Sequence, residues 1–426
     1  MTTEAQIEVV GPDARRVLAE EEPPKSLWQR ALDNVRSGNL GILPIVIGLV
    51  FIVVFFTLKT SVFFTADNFN NIIVQMAGTC MLAYGVVFVL LLGEIDLSIG
   101  YLSGLAAVSV AQLQLQGSGH VFPYSLIAPV SGLIAMPLAI AGVGAIGAAQ
   151  GAIVAKVGVP SFVVTLAGLL IWQGVILKVL GIQGTTLIQD KWINDTTNYY
   201  FSPMAGWIIA AVVTGVFALG QFGGVLGKRR AGVAVRNPWL VAAKIGGVAV
   251  ASFGTVAICN HANFPKGLPL AGVLVLIFLV GLTFLAKRTV FGRHVYAVGG
   301  SAEAARRAGI NVARIRILVF MISGIMAAVG GIILAANVNS VDLNVGGGTL
   351  LLDAISAAVI GGVSLFGGRG EVRGALLGAL VIATVANGLD TAGYKPGTIY
   401  VVTGVILLLA VTLDSVARRL QARSGR

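Results

Sequence analysis

The chain has 426 residues, of which 56% are hydrophobic and 11% charged. Soluble domains carry about 25% charged residues, so this composition, with a mean hydropathy of +0.91, excludes a soluble enzyme. The net charge of +11 sits in loops between apolar runs, which is the positive-inside pattern of a membrane protein and not the footprint of a nucleic-acid binder.

The first 40 residues are polar and include the run Glu20, Glu21, Glu22, Pro23, Pro24. They read as a cytoplasmic tail with no cleavable signal, carrying a short interfacial helix around Trp28. Residues 41–426 read as one membrane domain. A helix needs about 20 apolar residues to cross the hydrocarbon. Candidate spans fall at 42–58, 70–92, 99–115, 124–155, 161–180, 207–226, 245–259, 268–285, 318–336, 350–365, 374–388 and 399–413. The sequence therefore predicts an all-α polytopic membrane protein with about twelve transmembrane helices. The stretch 124–155 is too long for one simple span and is tilted or broken. Several others are short enough to be half-helices or re-entrant pieces, which need protein around their backbone.

Basic residues set the orientation. One set of loops holds Lys25, Arg30 and Arg36; Lys156; Lys228, Arg229, Arg230 and Arg236; the stretch 287–316; Arg369 and Arg373; and Arg418, Arg419, Arg423 and Arg426. The opposite set holds Lys59, Lys191, Lys266 and Lys395, with Trp192, Asn194, Asp195, Asn198, Tyr199 and Tyr200 nearby. The richer set predicts the cytoplasmic side and both termini inside. A weak internal repeat runs through the chain: a Gly-rich turn, a small-residue helix, a Pro break and a span, once after Gly93 and again after Gly361.

Three stretches carry candidate chemistry. The first, Gly93-Glu-Ile-Asp-Leu-Ser-Ile-Gly100, puts Glu94 and Asp96 between apolar spans. Carboxylates at membrane depth need a partner or a wet path, so the stretch is a gate or pathway lining. Its alternative is a solvated turn with Asp96 or Ser98 capping the next helix. The second, 287–316, contains Ser301 as an N-cap, the helix formers Glu303, Ala304, Ala305, Arg306 and Arg307, and Gly309 as a stop. A capped helix between glycine breaks is built to dock on a partner; the alternative is an ordinary basic loop. The third, 353–374, is rich in glycine but lacks the GxxxxGK[ST] order of a phosphate loop. Close backbone approach inside the membrane explains it better, and Asp353 is a lone acid within a span.

No GxSxG, HExxH or Cys/His metal pattern occurs. Cys80 and Cys259 read as small buried hydrophobes, and His120, His261 and His294 have no nearby acid or nucleophile. Without a Walker A motif the chain does not hydrolyse ATP by that machinery.

Four pieces taken together resemble the permeases of bacterial ATP-binding-cassette importers for monosaccharides, of the ribose, xylose and galactose type. They are GEIDLSIG at 93–100, GVPSFVVTLAG at 158–168, FGRHVYAVGGSAEAARRAGINV at 291–312 and DAISAAVIGGVSLFGGRG at 353–370. Extra spans between Trp207 and Cys259 make the chain look most like the xylose permeases. The resemblance implies a bacterial plasma-membrane subunit that translocates a neutral sugar and binds no cofactor itself. It also implies cytoplasmic ATPase subunits that hydrolyse ATP, an extracytoplasmic sugar-binding protein, and pairing of two permeases. Ser301, Glu303, Ala304, Ala305, Arg306, Arg307 and Gly309 match the ATPase-coupling position, and Asp96 and 361–370 match signature turns.

A neutral sugar needs hydrogen-bonding groups along its path. Glu94, Asp96, Ser98, Gln150, Asp353 and Asn387 are the leading candidates, with Gln75, Thr79, Thr165, Gln173, Asn337 and Asn339 behind them. Each is also a potential helix–helix contact. Other solutes of the same superfamily (another sugar, a nucleoside, a branched-chain amino acid) and an ion-coupled secondary transporter are the rival expectations.

Overall fold

The computed structural model describes residues 43–115, 124, 128–181, 184–230, 232 and 238–423. The tail expected over residues 1–40, His120, Arg236 and Arg426 lie outside the described residues. One body covers Ile42–Asp414. The other unit, Met1–Gly41 with Ser415–Arg426, is described only for the end of its last helix.

The elements in chain order are α1 (Leu43–Lys59), α2 (Ala66–Leu91), α3 (Ile99–Leu113), α4 (Gly132–Ala152, running into a π-helical turn, Ile153–Val157), α5 (Ser161–Leu180), β1 (Thr185–Leu187), α6 (Lys191–Asn198), β2 (Tyr200–Phe201) and α7 (Pro203–Arg230). Then follow α8 (Pro238–His261), β3 (Leu268–Pro269), α9 (Leu270–Arg288), α10 (Val290–Gly300), α11 (Ala302–Arg307), α12 (Val312–Val338), β4 (Ser340–Asp342), α13 (Leu350–Ile360), α14 (Val372–Thr391) and α15 (Pro396–Arg423).

Eight of these helices are long and apolar enough to cross a membrane, and α1, α3, α13 and the start of α15 are shorter apolar helices. Each of the twelve expected spans coincides with one of them. Two boundaries differ. Within the long stretch from 124, α4 begins at Gly132, where Ser131 caps it. The span expected at 350–365 ends at Ile360, because Gly362, Gly367, Gly368 and Gly370 take positive φ in the turn that follows.

Two short antiparallel ribbons mark one end of the bundle. Strand β1 pairs with β4, Thr186 opposite Val341, and β2 pairs with β3, Phe201 opposite Leu268. The opposite, basic end carries α10, α11 and the turn before α14. Helix α2 lies at the centre, 89% buried over its span, whereas α7 and α8 are each only 6% buried. The extra pair is therefore a peripheral hairpin, held by Trp207 stacked on Phe253 at 5.9 Å and by Thr214 with Ser252 at 2.9 Å.

Helix α12 is the second central element, and missing side chains let its neighbours close on it. Gly324 sits against the Val143 carbonyl of α4, Gly330 against Leu82 and Gly78 of α2, and Gly331 against the backbone of Ser103 in α3. Asn311 starts α12 by accepting from Arg314 N at 2.9 Å.

Candidate functional site

The turn between α2 and α3 is drawn back into the bundle. Glu94 pairs with Arg316 near the start of α12 at 2.9 Å, although the Arg316 Nε proton is not aimed at an acceptor. The two are close in charge but not joined by a hydrogen bond. Two residues later, Asp96 Oδ2 accepts from Ser323 Oγ at 2.7 Å. Arg316 and Ser323 are about 10 Å apart along α12 at 1.5 Å per residue. The segment 94–98 therefore descends from the basic end into the interior, and α3 starts there. Its 15 residues span about 22 Å, less than the roughly 30 Å hydrocarbon core.

Asp96 is 5% exposed and fully occupied. Its Oδ1 accepts from Ser98 N at 3.0 Å and lies 2.7 Å from Ser98 Oγ. Ser98 Oγ is also 3.0 Å from Gln150 Oε1 of α4, and its single proton serves one of the two at a time. Helix α5 clamps the same turn: Ile95 N donates to Ser161 Oγ at 3.3 Å, and Thr165 Oγ1 donates to the Ile95 carbonyl at 3.2 Å. Gly168 leaves the space that the Gln150 amide fills. A buried carboxylate is tolerated here because donors surround it and because it stands at the N-terminus of α3, where the backbone N–H groups and the helix dipole favour negative charge.

The second interrupted element meets the first. A Cβ on Gly100 would lie 2.7 Å from the Gly346 carbonyl oxygen, and Gly104 lies against the Val345 carbonyl. The chain before α13 thus runs along the first turns of α3. Helix α13 has 11 residues, about 16 Å, and starts inside the bundle as α3 does. In its first turn Thr349 Oγ1 donates to Asp353 Oδ2 at 2.7 Å. Helix starts facing an interior polar site are the arrangement that transporters use to hold solutes near mid-membrane.

At the basic end three backbones touch. Gly368 N donates to the Leu91 carbonyl at 2.9 Å. Gly299, at the end of α10, lies directly on that carbonyl, and a Cβ on Gly367 would be 2.8 Å from the Gly299 carbonyl and 2.9 Å from Gly93 N. Tyr296 Oη donates to the Gly370 carbonyl at 2.8 Å. Beyond this knot, Ser301 Oγ accepts from Ala304 N at 3.2 Å and starts α11. Ala305 is buried, while Glu303, Arg306 and Arg307 point outward, Glu303 lying 3.6 Å from Arg306 and 3.2 Å from Arg307. Gly309 ends the element with φ +82°.

Residues 68–411 match the family described as "branched-chain amino acid transport system / permease component". The chain belongs to this family. It is 35% identical to the xylose transport system permease protein XylH of Escherichia coli over 91% of this chain and 94% of that protein. The XylH of Haemophilus influenzae is also 35% identical, over 90% and 98%. The ribose import permease protein RbsC of Escherichia coli is 31% identical over 86% and 91%. No solved structure matches the chain. These relatives are transporter subunits, not enzymes.

Of the residues singled out from the sequence, this permease brings Asp96, Ser98, Gln150 and Thr165 into one cluster, with Glu94 at its mouth. The turn is not solvated: Ser98 is the N-cap of α3 without a side-chain cap bond, and the buried Asp96 accepts from Ser98 N and Oγ. Asp353 lies apart, in α13. Asn387 lies near the ribbon end of α14, accepting from Asn68 at 2.9 Å and donating to Gln75 at 3.2 Å. It is a helix–helix contact there. Asn339 accepts from Asn198 at 3.2 Å beside the ribbons. Sequence reading missed Ser323, the donor to Asp96, and Gly299. A lone serine within an apolar helix has no local signature, since its partner is 227 positions away.

Proposed function

We propose that this chain is the membrane-spanning subunit of an ATP-binding-cassette importer that carries a neutral monosaccharide, xylose, across a bacterial plasma membrane. The observation that carries the reading is the 35% identity to XylH over 91% of the chain, which leaves no large part of the molecule unaccounted for. The interior polar cluster at the two interrupted helices is consistent with it, being rich in hydroxyls and amides as an uncharged polyol requires.

In this reading the basic end faces the cytoplasm, with both termini on that side, and the ribbon end faces outward. An extracytoplasmic binding protein delivers sugar to the ribbon end. Cytoplasmic ATPase subunits bind and hydrolyse ATP, no cofactor resides on this chain, and two permeases pair to enclose the path. The segment 301–309 docks on the ATPase, with Ala305 anchoring it and Glu303, Arg306 and Arg307 presented outward. The contact of Gly299 with the Leu91 carbonyl and Gly368 gives docking a direct mechanical route: Leu91 leads into the turn that starts α3, and Gly368 lies between α13 and α14.

Uptake of labelled xylose tests this. Cells with and without the chain are compared after collapse of the proton gradient with ATP kept, and after ATP depletion. Chain-dependent uptake that survives the first treatment and stops in the second is expected. Loss on gradient collapse alone overturns the ATP-driven reading in favour of a secondary transporter. Chain-dependent uptake of a different sugar corrects the substrate.

A further inference from the structure

The first two turns of α13 carry a polar stripe. Thr349, Asp353 and Ser356 fall within about 60° of one another at 100° per residue. Two atoms on that stripe are orphans: Asp353 Oδ1 and Ser356 Oγ are buried and have no hydrogen-bond partner. Ser356 is fully buried, at 0% exposure. Buried polar groups are paired in the great majority of cases, and an orphan in a native fold calls for a ligand, a water or another explanation. In the Asp96 cluster, by contrast, both carboxylate oxygens accept hydrogen bonds.

The surroundings indicate what faces the stripe. Leu352, next to Asp353, is 42% exposed and Tyr400 is 55% exposed. A Cβ on Gly348 would lie 3.8 Å from Tyr400 Oη, and one on Gly347 would lie 3.1 Å from Tyr101 Oη. Asp353 Oδ1 is itself shielded by protein, and Leu352 and Tyr400 mark the exposed surface beside it.

We infer that the α13 face formed by Thr349, Asp353 and Ser356 lines the sugar path and binds sugar hydroxyls. This inference rests on the monosaccharide reading above. The chemistry fits a polyol: Asp353 Oδ1 accepts a hydroxyl proton, and Ser356 Oγ donates or accepts. Thr349 fixes Asp353 Oδ2, so one carboxylate oxygen is oriented and the other is left for the solute. Tyr101 and Tyr400 add hydroxyl-tipped rings at the edge.

The test uses the complete importer. Leu352→Cys is treated with a charged, membrane-impermeant thiol reagent; the chain's own Cys80 and Cys259 are buried. Labelling that slows in excess xylose is expected, and absence of labelling overturns the inference. In parallel, Asp353→Asn and Ser356→Ala are measured for xylose uptake and for ATP hydrolysis stimulated by loaded binding protein. Uptake of xylose is also compared with that of its singly deoxygenated analogues, variant against wild type, so that selection by the binding protein cancels. Loss of an unshared hydrogen bond should change that ratio by about tenfold for the charged acceptor and a few-fold for the hydroxyl, with stimulated hydrolysis kept. Unchanged ratios, or hydrolysis and uptake falling together, would assign the stripe a structural role. If wild-type cells take up no xylose, the substrate reading fails, while the labelling still decides whether this face is wet.

Discussion

Gly299 and Gly300 are adjacent, yet they predict opposite effects of the same substitution. A Cβ on Gly299 would collide with the Leu91 carbonyl and lie 2.8 Å from Gly368 N. Both are backbone atoms held by the hydrogen bond from Gly368 N to the Leu91 carbonyl at 2.9 Å, so neither yields as a flexible side chain does. Gly299→Ala must push α10 off the turn that leads into α3, and overpacking of this kind costs about 1–3 kcal/mol. A Cβ on Gly300 meets nothing within 4 Å. Gly300→Ala should be neutral or stabilising by up to about 1 kcal/mol, from the better helix propensity of alanine. Thermal unfolding of the two purified variants in one detergent gives the comparison, and ATP-driven uptake gives the functional readout. Gly299→Ala should lower the transition temperature and uncouple hydrolysis from uptake, with Gly300→Ala close to wild type. Equal behaviour of the two variants would refute the proposal that the segment 301–309 bears on the interrupted helices through this contact.

Charge reversal of Arg306 and Arg307 should abolish ATP-driven uptake while changing stability by less than about 0.5 kcal/mol, because both side chains are exposed and their pairs with Glu303 are surface pairs; unaltered uptake would remove the docking role. Ser323→Ala takes one donor from the buried Asp96 carboxylate and should cost about 1.5–3 kcal/mol, read as a lower unfolding temperature that Ser323→Thr largely restores. Partial burial opposes ionisation of Glu371, but hydrogen bonds from Lys287 at 2.9 Å and Arg373 at 2.7 Å outweigh it and hold the carboxyl below its ordinary value. A group depressed in this way stabilises the fold above its unfolded pKa, and the contribution is lost as pH falls through the folded value. Glu371→Gln should therefore remove a modest stabilisation at neutral pH and none in strong acid, measured as the difference between the two unfolding temperatures across that range.

Span number and order were legible because long apolar runs leave little alternative in a bilayer. The capped helix α11 was legible because it is local: Ser301, its helix formers and Gly309 lie within nine positions of one another, and each acts on its own turn. The interior site was only half legible. Glu94, Asp96 and Asp353 announced themselves as rare acids in apolar sequence, but their partners did not. Ser323 and Arg316 reach the 94–98 turn from α12, and Gln150 reaches it from α4, through packing that depends on glycine contacts distributed across four helices. Asn387 illustrates the converse. An intramembrane amide looks like a pathway group from sequence, and in the structure it bonds Asn68 and Gln75 between helices.

The most direct test is reconstitution of this chain in liposomes with an ABC ATPase subunit and a sugar-binding protein from the same organism. Xylose accumulation is followed with ATP supplied on the side of the basic end. Accumulation that requires ATP, the loaded binding protein and this chain together is the expected result. Accumulation that proceeds without ATP, or that follows an imposed proton gradient, would contradict the assignment of this chain as an ATP-driven importer subunit.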